Sequence, residues 1–486
     1  MEKRSDSLQK NFLYQSAYQL LSIILPLITT PYISRVLSPE GVGIYSYTNS
    51  VMYFFLMAAN LGIVNYGTRT VAENNVDKDK LSKTFWGIYF CHLCVSLLCL
   101  TAYVVFLVFF CKEYRIAFFC QTFQLIAVLI DITWFFSGIQ KFRVTVLRNF
   151  IIRLISVALI FLFVKEQDDV WKYILILSVG NIAGQAIVWI QIRSYVGFSK
   201  VSIKEICSHL KPMIILFIPI IAMSVYRYMD KIMIPNLNSM SQLGIYENSE
   251  KIMSIPLSFI TSLGIVLLPK ISSMTSAGNT DKTHIYIEYS MEFALILASA
   301  MTFGLIGIAP VFAPVFLGDE FKECGTVISA IALTIYFLTW SNTIRSQYLI
   351  PKRKDGAFII AAFSGAVVNL VLNLIFIKPY GALGAVIGTI CAELTVAILH
   401  TFFARKELNI RKMLLSGTFY LIPGIFMMIV VRMIGRWMGN QIITLIIQIA
   451  VGAVLFIGIS ILYMHITHNR LWLMVLSKIK NKIKKK

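Results

Sequence analysis

The sequence predicts an all-α polytopic membrane protein with about fourteen transmembrane helices, and three observations predict it. Apolar residues make up 57% of the 486 and charged residues only 14%, and the mean hydropathy is +0.75. With a window of about twenty residues the chain resolves into successive apolar stretches, each long enough to cross a hydrocarbon core as a helix. These stretches are too long for barrel strands, and a bilayer offers no water to unpaired backbone groups, so the spans must be helical. Connections of about five to twenty residues leave no room for a sizeable soluble domain.

Taken in order, the expected spans begin with 12–33, which follows Lys3, Arg4 and Lys10 and runs towards Pro39, and 42–64, which opens at Gly41-Val-Gly. Spans 84–110 and 115–137 are set off by Lys78, Lys80 and Lys83, by Lys112 and by Lys141. Spans 144–164 and 171–192 flank Lys165 and the Asp168-Asp169 turn, and a basic linker, 193–211, follows. The next are 210–234, 243–269 and 285–309, the last interrupted by Pro310 and Pro314. Spans 324–349, 357–377, 382–403, 413–433 and 441–465 complete the series.

Basic residues concentrate in every second connection and at both termini, for example Arg69 to Lys83, Arg193 to Lys211, Lys352 to Lys354 and the Lys-rich tail. The positive-inside rule then places both termini in the cytoplasm, which requires an even number of spans. The formal charge of +20 is read as topology and as attraction to anionic lipid, not as a nucleic-acid surface. Residues 1–10 lead directly into a full-length span, so the first helix is expected to act as its own insertion signal. The eight cysteines lie mostly inside spans, and Cys91-His92-x-Cys94 lacks a second pair, so neither a disulfide framework nor a metal site is expected.

The chain also resembles itself. Residues 39–45, Pro-Glu-Gly-Val-Gly-Ile-Tyr, open the second span, and residues 240–246, Met-Ser-Gln-Leu-Gly-Ile-Tyr, open the eighth. An offset of six spans keeps orientation, so this reads as a parallel repeat with its axis along the membrane normal. The expected organisation is two six-helix lobes, 1–200 and 201–405, around a central cavity, two appended helices in 406–466, and a basic cytoplasmic tail, 467–486. Repeats of this kind favour a transporter working by alternating access.

Ionisable groups inside spans are costly and face a cavity or a partner. Arg227, Asp230 and Lys231 in span 7 and Glu247, Glu250 and Lys251 in span 8 sit at similar depth. They read either as neutralised structural pairs, such as Glu247 with Lys251 four residues on, or as the wall of a polar cavity. Arg153 and Arg345 either snorkel to the interface or face that cavity. Glu393, near the middle of span 12, and Asp131 in span 4 read either as ion- or proton-coupling groups or as hydrogen-bonded structural carboxyls; Asn369 and Asn373 lie beside Glu393's span. Cations and anions inside spans nearly balance, so an anionic cargo does not follow from charge alone, although guanidinium forks suit phosphate.

Motifs along nearly the whole chain resemble the Wzx-type oligosaccharide flippases of the multidrug/oligosaccharidyl-lipid/polysaccharide exporter superfamily. They include Pro26-Leu-Ile-Thr-Thr-Pro31-Tyr32-Ile-Ser-Arg35, Gly41-Val-Gly43-Ile-Tyr45 and Asn65-Tyr-Gly67-Thr-Arg69. Further on come Asp230-Lys231-Ile-Met-Ile, Gly244-Ile-Tyr246-Glu-Asn-Ser-Glu250-Lys251, Arg345-Ser-Gln347-Tyr348, Asn369-Leu-Val-Leu-Asn373 and Tyr380-Gly381 with Glu393. The resemblance implies a bacterial plasma-membrane protein that turns undecaprenyl-diphosphate-linked repeat units to the outer leaflet for capsule, exopolysaccharide or O-antigen assembly. It implies substrate contacts from Arg69, Arg153, Arg227, Lys231, Lys251 and Arg345, and resetting by a proton or sodium gradient through Asp131 and Glu393 with Asn369 and Asn373. Membrane lipid and a polymerase or export machinery are the implied partners; no cofactor and no nucleic acid are expected. The pair in 406–466 is similar to the extra pair of lipid II flippases, with Arg432 and Arg436 in its loop.

Two neighbouring readings remain: a flippase for teichoic acid or the peptidoglycan precursor, and a small-molecule or drug cation antiporter of the same superfamily. A membrane enzyme is not expected, because the sequence shows no nucleotide loop, nucleophile constellation or paired carboxylates on a large loop.

Overall fold

The computed structural model describes residues 2–75, 77–276, 280–469 and 472–473. The described residues are helical throughout, and ten of the helices are long and apolar enough to cross a membrane. Most of the Lys-rich tail expected to be cytoplasmic lies outside the described residues. By internal contacts the chain divides into two compact units, Met1–Gly244 and Ile245–Lys486.

In the first unit, α1 (Glu2–Asn60) is two arms joined at one residue, Ser38, whose φ of 59° and ψ of 173° break the helix. The residue before a proline is pushed out of the helical region, and here Pro39 follows; this single residue replaces the loop expected between the first two spans. After Gly62, at φ 74°, comes the short α2 (Ile63–Glu73). Then α3 (Lys78–Phe109) starts on an Asp77 cap that accepts from the backbone N–H of Asp79 at 2.9 Å. The fourth span is not continuous: α4 (Arg115–Leu129) stops, and α5 (Thr133–Gly138) restarts after Asp131. The unit continues through α6 (Phe142–Phe163), a 3₁₀ turn at Gln167–Asp169, α7 (Val170–Ile192), the capped turn α8 (Ile203–Ser208) and α9 (Leu210–Leu237). Its core packs Phe85, Trp134, Phe135 and Phe136 with Ile63 and Met213.

The two Gly-Ile-Tyr copies meet here. A Cβ placed on Gly43 would overlap the carbonyl of Met240, and one placed on Gly244 would overlap the carbonyl of Pro39. Pro39 and Met240 hold equivalent positions in the two copies, so the contact is reciprocal, as an isologous two-fold contact is. Only glycine allows backbone to meet backbone this closely.

From Met240 the helix α10 (Met240–Ser276) runs into the second unit. There α11 (Thr280–Leu317) continues past Pro310 and Pro314 without interruption, so the expected break falls instead at the following 3₁₀ turn, Asp319–Phe321. The tenth span is built from α12 (Cys324–Ile331), α13 (Leu333–Ile344) and a π-helical turn, Arg345–Leu349. Next, α14 (Asp355–Tyr380) and α15 (Ala382–Ala404) pack tightly because Gly384 and Gly388 admit Phe376 and Asn373. The C-terminal helices are α16 (Ile410–Thr418), α17 (Leu421–Met438) and α18 (Ile442–Ile466). With the two arms of α1 counted separately, these elements make about fourteen passes.

Candidate functional site

One group of polar side chains in the second unit lies on α13–α15 and the π-turn between α13 and α14. Arg345 opens the π-turn; its Nη2 donates to Asn342 Oδ1 at 2.5 Å, and its guanidinium carbon lies 5.5 Å from the Phe358 ring centre. Its buried Nε–H finds no acceptor among the described residues. Glu393, 7% exposed on α15, is close enough to act on the Arg345 charge, and so is His400 two turns along the same helix. His400 Nδ1 contacts the Ser341 carbonyl at 3.2 Å, while its buried Nε2 has no hydrogen-bond partner. Asn373 donates to Asn369 at 3.2 Å, and both are buried against Gly388. The structure therefore brings Arg345 and Glu393, which the sequence assigned to substrate and coupling roles respectively, within electrostatic reach of each other. π-turns of this kind occur often at functional sites, because the extra residue displaces side chains from the helical register.

At the basic end of this region the connection is latched. Lys352 donates to Glu407 Oε2, Lys354 donates to Glu407 Oε1 at 2.9 Å, and Lys354 also donates to the Tyr348 hydroxyl at 2.7 Å. These bonds, that from Lys352 foremost, hold the Glu407 carboxyl down at about 2.

In the first unit Asp131 occupies the break between α4 and α5. It accepts from the Thr133 N–H at 2.8 Å and the Thr133 hydroxyl at 2.6 Å, so it starts the short helix α5. His92 of α3 is fully buried near it, with both ring nitrogens lacking a hydrogen-bond partner among the described residues. Lys231 lies over the Tyr228 ring at 5.8 Å, and Tyr228 stacks on Tyr53 at 3.9 Å.

The other expected residues are dispersed. Arg69 lies on α2, exposed, and pairs loosely with Glu73 at 3.9 Å. Arg153 and Arg227 are exposed on α6 and α9. Lys251 pairs with Glu247 at 3.2 Å, as the four-residue spacing implied. Arg432 is not in a loop: it lies within α17 and donates to the Ile306 carbonyl at 3.2 Å and to Ser329 at 3.3 Å.

Three buried polar groups were missed. Arg148, read as part of a basic connection, is 8% exposed and donates to Gln185 at 2.9 Å and to the Gly184 carbonyl. His92 and His400 carried a signal, since a histidine in an apolar run needs a partner or a function. No cluster of potential metal ligands occurs among the described residues.

A bundle of this kind, with ten helices among the described residues long and apolar enough to cross a bilayer, is that of a polytopic α-helical membrane protein. The chain belongs to the polysaccharide biosynthesis protein family, whose model matches residues 8–275. It is 23% identical over 406 residues to a candidate O-antigen transporter of Escherichia coli (strain K12), covering 82% of this chain and 97% of that protein. A solved structure of the lipid II flippase MurJ in an inward closed conformation superposes with a TM-score of 0.76 at 15% identity, over 94% of this chain and 100% of that one. An inward-facing multidrug-resistance transporter of the same superfamily gives a TM-score of 0.58 at 11% identity, over 79% of this chain and 97% of that one. The Wzx-type likeness and the helical exporter fold expected from the sequence are thereby upheld.

Proposed function

We propose that this protein is a flippase that carries lipid-linked oligosaccharide repeat units from the inner to the outer leaflet of a bacterial plasma membrane by alternating access. Family membership and the transporter relatives support the class. The observation that carries the choice within the superfamily is coverage. The flippase fold accounts for 94% of the chain, whereas the drug-transporter fold, itself matched over 97% of its length, accounts for 79%. A cation antiporter leaves that surplus without a use.

On this reading the lobes are 1–200 and 201–405, both termini are cytoplasmic, and no covalent chemistry is performed. Arg345 is the guanidinium best placed to meet a diphosphate, since it is half-buried and has an unused donor; Arg227, Lys231, Lys251, Arg153 and Arg69 are further candidates. Glu393, with Asn369 and Asn373, and Asp131 are the proposed coupling groups for protons or sodium. A polymerase or export complex takes the delivered unit.

The test is depletion of the protein, followed by leaflet-selective labelling and mass spectrometry of the lipid-linked pool. Complete units should accumulate on the cytoplasmic leaflet. Normal delivery to the outer leaflet would reject the proposal.

A further inference from the structure

The end of the first unit at which the arms of α1 meet contains a pocket of about 540 Å³, within the size range of small-molecule sites. It is framed by α1, the start of α4 and the 3₁₀ turn before α7. Its polar lining comes from Glu40, Arg115, Gln167 and Asp168, and its aromatic lining from Tyr114 and Trp171. The four polar side chains are exposed, and among the described residues none of them makes a hydrogen bond or ion pair. Donors and acceptors thus converge on a concavity with their bonding capacity unused, beside an indole that is 40% exposed.

The frame around them is rigid. Asp169 accepts from the Lys165 N–H at 2.8 Å and from Lys172 at 2.6 Å, which fixes the turn presenting Gln167 and Asp168. Gly41 lets the start of α7, just after that turn, approach α1: a Cβ there would lie 3.0 Å from both Leu37 and Val170. Two lining residues hold positive φ without being glycine, Ser38 at 59° and Tyr114 at 53°. Such strain persists where the surroundings impose it and collects at ligand sites.

The lining selects a ligand class. Two carboxylates face the Arg115 guanidinium, and the Lys172 ammonium, 5.8 Å from the Trp171 ring centre, is already paired with Asp169, so no surplus of positive charge is left to draw phosphate or acidic sugars. Two accepting carboxylates and one amide that both accepts and donates, next to aromatic faces, suit the vicinal hydroxyls and apolar faces of a neutral sugar. We infer that this pocket binds a neutral glycan unit at the outer end of the protein, a role there that rests on the flippase reading and its orientation. It receives the head of the cargo after passage, away from the charged groups of the bundle.

The test uses full-length protein in lipid nanodiscs, which avoids glycoside detergents, and saturation-transfer NMR with N,N′-diacetylchitobiose and cellobiose as neutral probes and glucose 1-phosphate as the anionic one. Transfer to at least one neutral disaccharide is expected, weakened about tenfold or more by W171A and by the pair E40Q/D168N and largely kept by W171F. Unchanged melting of W171A would confirm that the fold survives. No transfer to either disaccharide, equal transfer in W171A, or a preference for glucose 1-phosphate would overturn the inference. Leaflet labelling separates the two claims. Disaccharide binding without any delivery by the wild type would reject the flippase while the pocket stands; normal delivery with no disaccharide binding would reject the pocket alone.

Discussion

Arg345 and Glu393 show what a single residue contributes here. Glu393 is buried and Arg345 half-buried, and each acts on the other's charge, so removing one leaves the other less compensated. R345A should therefore lower the melting temperature more than R345A/E393Q does, while both abolish delivery of lipid-linked sugar; additive melting shifts would show that the two groups do not interact. Glu407 gives a pH signature. Its carboxyl is held at about 2 against an ordinary 4.5, so the ionic latch stabilises fully above 4.5 and is lost as pH falls towards 2. The melting difference between wild type and E407Q should stay constant from pH 8 to 5 and shrink by pH 3. A difference that ignores pH would mean that Lys352 and Lys354 are not what Glu407 provides for. The sequence exposed these charges through their cost in a membrane, and it correctly paired Glu247 with Lys251, where helix spacing alone decides. It could not relate Arg345 to Glu393, since the two lie on different helices, and it misplaced Arg148 because Lys141, Arg143 and Arg148 read as one basic connection, whereas α6 carries the last of them.

Among the elements, the broken fourth span and the π-turn of the tenth were illegible, because apolar composition runs through both without a change. Asp131 was visible as a charge but not as the group that restarts a helix. The Gly-Ile-Tyr repeat, by contrast, was legible and acquired a physical reason. Its glycines are sites of backbone contact, so G43A and G244A should each destabilise by about 1–3 kcal/mol, as overpacking does. Melting of purified protein checks this; wild-type stability in both would mean the crossing is loose. Ser38 predicts the opposite sign. Its φ of 59° with an extended ψ is a conformation that favours glycine, so S38G should raise the melting temperature, by a stabilisation of about 1 kcal/mol.

For the molecule as a whole, hydropathy was enough to give the class and about the right number of passes, since bilayer thickness constrains every pass alike. It gave no information on how the last segment is tied down. In the second unit Glu292 of α11, 8% exposed, accepts from Tyr420 at 3.1 Å and from Asn469 at 2.6 Å. That carboxylate ties α11 to the turn before α17 and to the residues just after α18, so E292A should loosen the end of α18 more than it perturbs α14 and α15. Hydrogen exchange would register the loss of protection there; uniform loss across the unit would indicate global destabilisation instead.

The one-residue joint at Ser38 also bears on how the protein can be handled. Two spans that meet without a loop leave no slack for a foreign sequence, so an epitope placed there would pry the arms apart. The turn at Gly439, where nothing lies within 4 Å of an added Cβ, is where a reporter can be inserted to read out sidedness in living cells.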